Sequence, residues 1–210
     1  MKLDCVTAEN LETVLKETSF LLRTGNFGKA LGELLPFARA DIAASFVEVG
    51  LLYELSAEAD SDLSYPAIQE AMHWYRRSIE TTDEKYAYLG LGRILVKRSL
   101  SRDKVEKGLE FLRVAASRTV PEADTLLGVC YEQGVGVDVD LNRAKSYYSA
   151  AGDQGFLWPI LLLSKLEFRT GNYRRALWLR VKGARLAWKI AGENPRDPRL
   201  WNIRQSGGKV

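Results

Sequence analysis

Between residues 123 and 155 the apolar positions recur every three or four residues in two runs, with a polar break between them. Ala123 to Glu132 forms the first run; Ala144, Tyr147, Tyr148 and Ala151 carry the second. That spacing is the stripe of a helix packed on one side. Gly134 follows the first run, where a residue able to turn left-handed closes a helix. Val135 and Val137 then alternate with Gly136 and Asp138 across a short connection. Asp140 stands where an N-cap belongs, its carboxylate set to accept from the free N–H groups of the next turn. Gly152 or Gly155 ends the second helix. The predicted unit is helix, loop, helix in about 36 residues, and one such hairpin leaves apolar faces open, so stacked neighbours are expected.

The pattern repeats. Val49-Gly50-Leu51-Leu52-Tyr53-Glu54 echoes Leu127-Gly128-Val129-Cys130-Tyr131-Glu132, and Ala87 to Gly92 aligns with Ala123 to Gly128. In the second helix, Ala144, Tyr148 and Ala151 match Ala71, Tyr75 and Ser78, and also Gly108, Leu112 and Ala115. A looser version stands near both ends, Arg23-Thr-Gly-Asn-Phe-Gly-Lys-Ala30 and Arg169-Thr-Gly-Asn-Tyr-Arg-Arg-Ala176. The anchors Ala30, Ala71, Gly108, Ala144 and Ala176 are 41, 37, 36 and 32 residues apart, which gives five helix pairs. Small residues at a crossing let helix axes approach to about 8–10 Å. Gly50, Gly92 and Gly128 on first helices, and Ala71, Gly108 and Ala144 on second helices, are placed to do so, with Tyr131 and Tyr148 filling the space beside them.

The fourth unit, with Ala123, Leu126, Gly128, Tyr131, Gly134-Val-Gly136-Val137, Asp140, Ala144, Tyr148, Ala150-Ala151 and Gly155, resembles a Sel-one-like repeat. The two Gly-Asn-(Phe/Tyr)-x-x-Ala units look more like tetratricopeptide repeats. The resemblance implies an all-α chain, an α-solenoid of about five antiparallel helix-turn-helix repeats wound as a right-handed superhelix. It also implies a surface that binds protein partners, in the manner of a scaffold, adaptor or regulator, without catalysis. The expected boundaries are repeats at about 11–44, 45–85, 86–122, 123–157 and 158–193 within a solenoid of residues 1–193. Residues 194–210, with Leu200, Trp201 and Ile203, are expected to fold back as a capping tail, Trp201 buried.

Charge is distributed unevenly. The net value is +3, but residues 165–210 hold twelve of the 30 Lys/Arg and three of the 27 Asp/Glu, leaving eighteen and twenty-four to residues 1–164. A basic quarter thus follows a mildly acidic body. No window reaches the roughly 18 apolar residues of a membrane span. The first ten residues lack the apolar core of a signal peptide. Two cysteines, Cys5 and Cys130, make no disulfide framework. The expectation is a reduced, cytoplasmic setting.

Candidate chemistry is thin. Gly134-Val-Gly136 lacks a preceding strand pattern and the Gly-Lys-Ser/Thr ending of a phosphate loop, and reads as helix punctuation. His73 is the sole histidine; nothing marks a nucleophile and an acid to either side of it, as a hydrolytic triad needs. One histidine and two distant cysteines make no zinc set. Glu58, Asp60 and Asp62 alternate like the start of a calcium loop, but the sixth and twelfth positions from Asp60 are Tyr65 and Ala71, not Gly and Glu. No catalytic residue, metal site or cofactor is expected.

The sharpest candidate lies in the helix predicted from about 173 to 191. Arg175, Trp178, Lys182, Arg185 and Lys189 step by 3, 4, 3 and 4 and form one stripe. Ala176, Leu179, Gly183, Ala187 and Ile190 form the apolar face beside it. The bland reading is a solvated basic flank whose stems cover the last core layer. The sharper reading is a docking site for an acidic peptide or protein surface. Two other functions stand behind it: nucleic acid, disfavoured, or an anionic membrane held by the basic C-terminal face, and a dedicated regulator, neutralising or assembly factor for one enzyme or toxin. Oligomeric state is not readable from the sequence.

Overall fold

The computed structural model describes residues 8–59, 64–99, 101–194 and 197–201. Among these, every regular element is helical. The chain divides into two compact units, Met1–Ile94 and Leu95–Val210. The first holds α1 (Ala8–Arg23), α2 (Phe27–Arg39), a short 3-10 turn (Ala43–Ser45), α3 (Phe46–Ala59), α4 (Ser64–Thr82) and most of α5 (Lys85–Arg98). The second holds the end of α5, then α6 (Arg102–Ser117), α7 (Pro121–Gln133), α8 (Leu141–Asp153), α9 (Leu157–Arg169), α10 (Tyr173–Glu193) and the short α11 (Pro198–Trp201). The ten long helices described follow one another along the chain, and within the units α1 packs on α2, α3 on α4, α7 on α8 and α9 on α10, the neighbour packing of an all-α solenoid.

Each hairpin is closed in a way the local sequence dictates. Gly25 and Gly171, both with positive φ, follow α1 and α9 in the shared Arg-Thr-Gly-Asn turn. The next amide reaches back to a carbonyl five residues earlier, Asn26 N–H to Leu21 O and Asn172 N–H to Glu167 O, each at 2.9 Å. This is the Schellman closure, which satisfies carbonyls the helix leaves orphaned. Gly134 does the same for α7, with Val135 N–H donating to Cys130 O at 3.0 Å. Three joints between successive pairs use a non-glycine residue in the same left-handed region: Asp41 (φ 64), Asp83 (φ 53) and Thr119 (φ 59).

In the first unit Leu34, Phe37, Phe46, Val49, Leu52 and Trp74 gather in one core. In the second, Tyr131, Ala144, Tyr148, Ile160, Leu163, Leu166 and Leu179 form another. A tyrosine ring lies across a glycine in each. A Cβ on Gly50 would come within 2.7 Å of the Tyr75 ring, and one on Gly128 within 2.5 Å of the Tyr148 ring. Gly90 faces the Tyr75 ring as well, so the tyrosine of α4 is held between α3 and α5.

Each of these rings ends in a polar clip. Tyr75 donates its hydroxyl to Glu54 Oε2 at 3.1 Å, and Arg93 donates Nε and Nη2 to the two oxygens of Glu54 at 2.7 Å. In the second unit Tyr148 donates to Glu132 Oε2 at 2.8 Å, and Arg169 donates to Glu132 Oε1. So a carboxylate on one first helix receives the tyrosine of its own pair and the arginine of the next first helix. Burial pushes the Tyr75 phenol far up, reinforced by the neighbouring Glu54 charge. Burial alone would pull Arg93 down, but Glu54 more than reverses it and holds the guanidinium charged.

Candidate functional site

The outer surface of α10 collects the features expected of a docking site. Asn172 precedes the helix, and its side-chain amide donates to Glu167 Oε2 at 2.7 Å. Ala176, Leu179, Gly183 and Ile190 are buried and press the helix onto α9. Gly183 permits this contact, since a Cβ there would lie 3.3 Å from Leu157 Cδ1.

The predicted basic stripe starts beside that buried face at Arg175 and spreads round towards solvent, and its five members divide into three kinds. Arg175 lies with Nε 3.3 Å from Glu167 Oε1, and Lys182 donates to Asp153 Oδ1 at 3.0 Å, so both are tied to acids of the same unit. Lys182 also stands over the ring of Trp178, 5.6 Å from its centroid. Trp178 is well exposed. Arg185 and Lys189 are exposed and have no carboxylate partner among the described residues. Their position at the border explains the difference: residues nearest α8 and α9 meet acids there, whereas those further round meet solvent.

Glu167 is the hub of this arrangement. It is fully buried and accepts from Lys145 Nζ at 2.8 Å and from Asn172. Burial alone would push its pKa up, but the hydrogen bonds from Lys145 and Asn172, helped by the charges of Lys145 and Arg175, hold it below the usual carboxylate range.

The structure adds a row of side chains that sequence reasoning missed. Tyr173, Leu177, Val181, Ala184 and Trp188 are all exposed and step along α10 by 4, 4, 3 and 4, on a side turned away from the buried face. Trp188 is 85% exposed and Leu177 66%. Phe168, at the end of α9, extends the row edge-on to Tyr173 with ring centroids 5.1 Å apart. Arg174 and Arg180 also lack a carboxylate partner among the described residues. The signal was present as a second period of three to four residues, but α10 carries apolar residues on both sides, and periodicity alone does not tell which side meets a neighbour.

The remaining predicted residues fall elsewhere. Gly50, Gly92, Gly128 and Ala144 are buried, and Tyr148 has no exposed surface. Gly134 caps α7 with φ 76, and Gly136 follows with φ 68. A Cβ on Gly136 would meet Val105 Cγ1 of α6 at 2.5 Å, so this loop is packed closely against a helix. Asp140 accepts from Asn142 N–H and Arg143 N–H, each at 3.0 Å, and so occupies the amides that an anion at this helix start would use.

Tyr131 borders a cavity of about 700 Å³ with Arg102, Arg113, Asp140 and Arg143. Its ring stacks on Tyr147 at 5.6 Å, and Arg143 donates to its hydroxyl at 3.3 Å. Burial works to raise this phenol, but the hydrogen bonds from Arg113 and Arg143 leave it below its ordinary value. Asp138 and Asp140 balance the arginines on the same wall.

His73 is exposed and lies edge-on to Trp74, ring centroids 5.2 Å apart. No three His, Cys, Asp or Glu side chains among the described residues come together as metal ligands, and Asp60 and Asp62 lie outside those residues. No helix is long and apolar enough to cross a membrane, among the described residues. In the expected capping tail, α11 packs on α9 and α10, while the side chain of Trp201 and all of Ile203 lie outside the described residues.

Comparison with known proteins places this geometry. The model of the Sel1 repeat matches residues 62–80 and 121–156. The chain is similar in structure to a Sel1 repeat protein from Oxalobacter formigenes, with a TM-score of 0.63 and 19% identity, over 98% of this chain and 89% of that one. It is similar to c5321, a protective antigen of uropathogenic Escherichia coli strains with an SLR fold, with a TM-score of 0.57 and 20% identity, over 87% of this chain and 44% of that one. It is also similar to MamA 41-end from Desulfovibrio magneticus RS-1, with a TM-score of 0.55 and 18% identity, over 85% and 95%. No curated protein matches the chain.

Proposed function

For a chain that is a Sel1-like, tetratricopeptide-like helical repeat protein, we propose a non-catalytic role as a protein-interaction scaffold that engages an acidic partner through the outer surface of α10. Repeat proteins of this kind generally serve as protein-interaction scaffolds. The observation that carries the reading here is the exposed aromatic and aliphatic row of α10, set among cations that no acid of the described residues neutralises. Aromatic side chains and arginine are the types enriched where binding energy concentrates. Arginine pairs bidentately with carboxylates, which makes an acidic surface the natural complement. Glu193 is the sole acid of α10, at its last residue.

Of the stripe Arg175, Trp178, Lys182, Arg185 and Lys189, this reading assigns partner contact to Trp178, Arg185 and Lys189. Arg175 and Lys182 serve mainly to hold α10 against Glu167 and Asp153. The test is site-specific photo-crosslinking in the native cells, with a photoreactive residue at position 185 and another at the exposed position Glu110 of α6 as control. A discrete acidic protein crosslinked at 185 and not at 110 supports the proposal. Crosslinks to lipid or nucleic acid alone at 185 would overturn it.

A further inference from the structure

The row on α10 has a shape as well as a charge. At about 100° per residue, Tyr173, Leu177, Val181, Ala184 and Trp188 fall within about 80° of the helix circumference. Arg180 then lies about 20° beyond one edge of that row, and Arg174, Arg185 and Lys189 begin about 20° beyond the other. At 1.5 Å per residue the row is about 22 Å long, or four turns. An apolar ridge of that length, bracketed on both sides by cations without a carboxylate partner among the described residues, complements an apolar strip edged by acids.

From this geometry we infer that the occupant of the row is an amphipathic helix of a partner protein, with apolar residues at three- and four-residue spacing and carboxylates flanking them on both edges. The inference rests on the proposed scaffold role and specifies the structure of what is bound. Ridges along one helix pack into the grooves of another, and the residues at positions 173, 177, 181, 184 and 188 make such a ridge. A helix laid along it would cover Leu177, Val181 and Trp188 and bring its flanking acids to Arg180 on one side and Arg174 and Arg185 on the other.

Charge argues against two other occupants, both supplied by this chain. A second copy presenting the same row would set Arg174, Arg180, Arg185 and Lys189 against themselves. Residues 202–210 of this chain contain Arg204 and Lys209 and no acid, so they are not complementary either. An apolar strip edged by cations also suits an anionic membrane surface, so vesicles form one arm of the experiment.

The experiment uses the full chain and a labelled, side-chain-stapled helical peptide of about 18 residues, enough to span the row at 1.5 Å per residue. It carries leucines at three- and four-residue spacing and glutamates on both flanks; a scrambled peptide has the same composition and charge. Binding is read by fluorescence anisotropy. The patterned peptide should bind, and the scrambled one should bind at least about tenfold more weakly, the scale expected when buried anchors carry the energy. Leu177→Ser with Val181→Ser should weaken the patterned peptide by about tenfold, and Arg180→Glu with Arg185→Glu should abolish it, with circular dichroism unchanged in both. These positions are exposed, and Leu177→Gln alone gives a milder second variant.

Equal binding of the two peptides would overturn the inference in favour of charge alone. So would vesicles of phosphatidylserine and phosphatidylcholine that bind while the peptide does not. Sedimentation showing self-association that Leu177→Ser removes would assign the row to a second copy. A protein partner crosslinked at position 185, with no binding of the patterned peptide, would leave the scaffold role standing and refute only the helical occupant.

Discussion

The two carboxylate clips have the same chemistry and different burial, and this permits a controlled comparison. Glu54 is 6% exposed and its partner Arg93 22%, whereas Glu132 is 13% exposed and Arg169 55%. Replacing Glu54 by Gln keeps an acceptor for the Tyr75 hydroxyl and removes the charge facing Arg93. Breaking a buried pair in this way costs about 3–5 kcal/mol, because the remaining ion is left without compensation. Glu132→Gln exposes Arg169 to water that already reaches it, and the expected cost is about 0–1 kcal/mol. The difference, about 2–5 kcal/mol, is readable as separate urea midpoints followed by far-ultraviolet circular dichroism. A second control isolates the cause. Glu54→Gln combined with Arg93→Met removes both charges, and should recover most of the loss, since apolar replacement of a buried pair is often neutral. Equal midpoints for the two single variants would refute the argument from burial. A double variant as unstable as Glu54→Gln alone would show that the cost is not that of an orphaned charge.

Two further outcomes follow from packing and from protonation. Gly128→Ala should destabilise by about 1–3 kcal/mol through overpacking against Tyr148, while Gly32→Ala, in α2 with open space at the same position, should stabilise by about 0.5–1 kcal/mol; urea midpoints that move together would refute the crossing role of Gly128. Burial, opposed by a hydrogen bond from Gln154, raises Asp124 to about 6, so the folded state holds this proton more tightly than the unfolded chain, whose value is about 3.9. Stability from this group is therefore present below about pH 4 and lost as pH rises to about 6, by on the order of 2–3 kcal/mol. Asp124→Asn should remove that loss, so the variant should gain on the parent between acid and neutral pH; a gap that stays constant or closes would refute it.

The helix pairs were legible because their crossings are written locally. Ala144, Tyr148 and Gly128 recur at helical spacing, and Gly134 and Asp140 mark the turn by the backbone each favours. The echo of Tyr53-Glu54 in Tyr131-Glu132 was visible too, but its meaning was not. The partners of those glutamates, Arg93 and Arg169, stand 39 and 37 residues further on, and no local period connects them. The basic stripe was legible as a stripe. Its division was not, because pairing of Arg175 with Glu167 and of Lys182 with Asp153 depends on how α8, α9 and α10 lie together. The row through Leu177 and Trp188 escaped for the opposite reason: an apolar residue is assigned to a core by default, and only the fold shows that these side chains of α10 stay exposed among the described residues.

The left-handed residues at the joints between pairs set the grain at which this chain can vary. At Asp41 and Thr119 the next amide returns to a carbonyl five residues back, Ile42 to Phe37 at 3.0 Å and Val120 to Ala115 at 3.2 Å. The closure is the same at both, although six residues join α2 to α3 and three join α6 to α7. A single inserted residue within α7 would turn the remainder of that helix by about 100° and carry Gly128 away from Tyr148. Removing one complete pair, from joint to joint, preserves the phase of everything downstream. Length changes that keep this packing are therefore expected as whole pairs or within the connections, and not inside a helix.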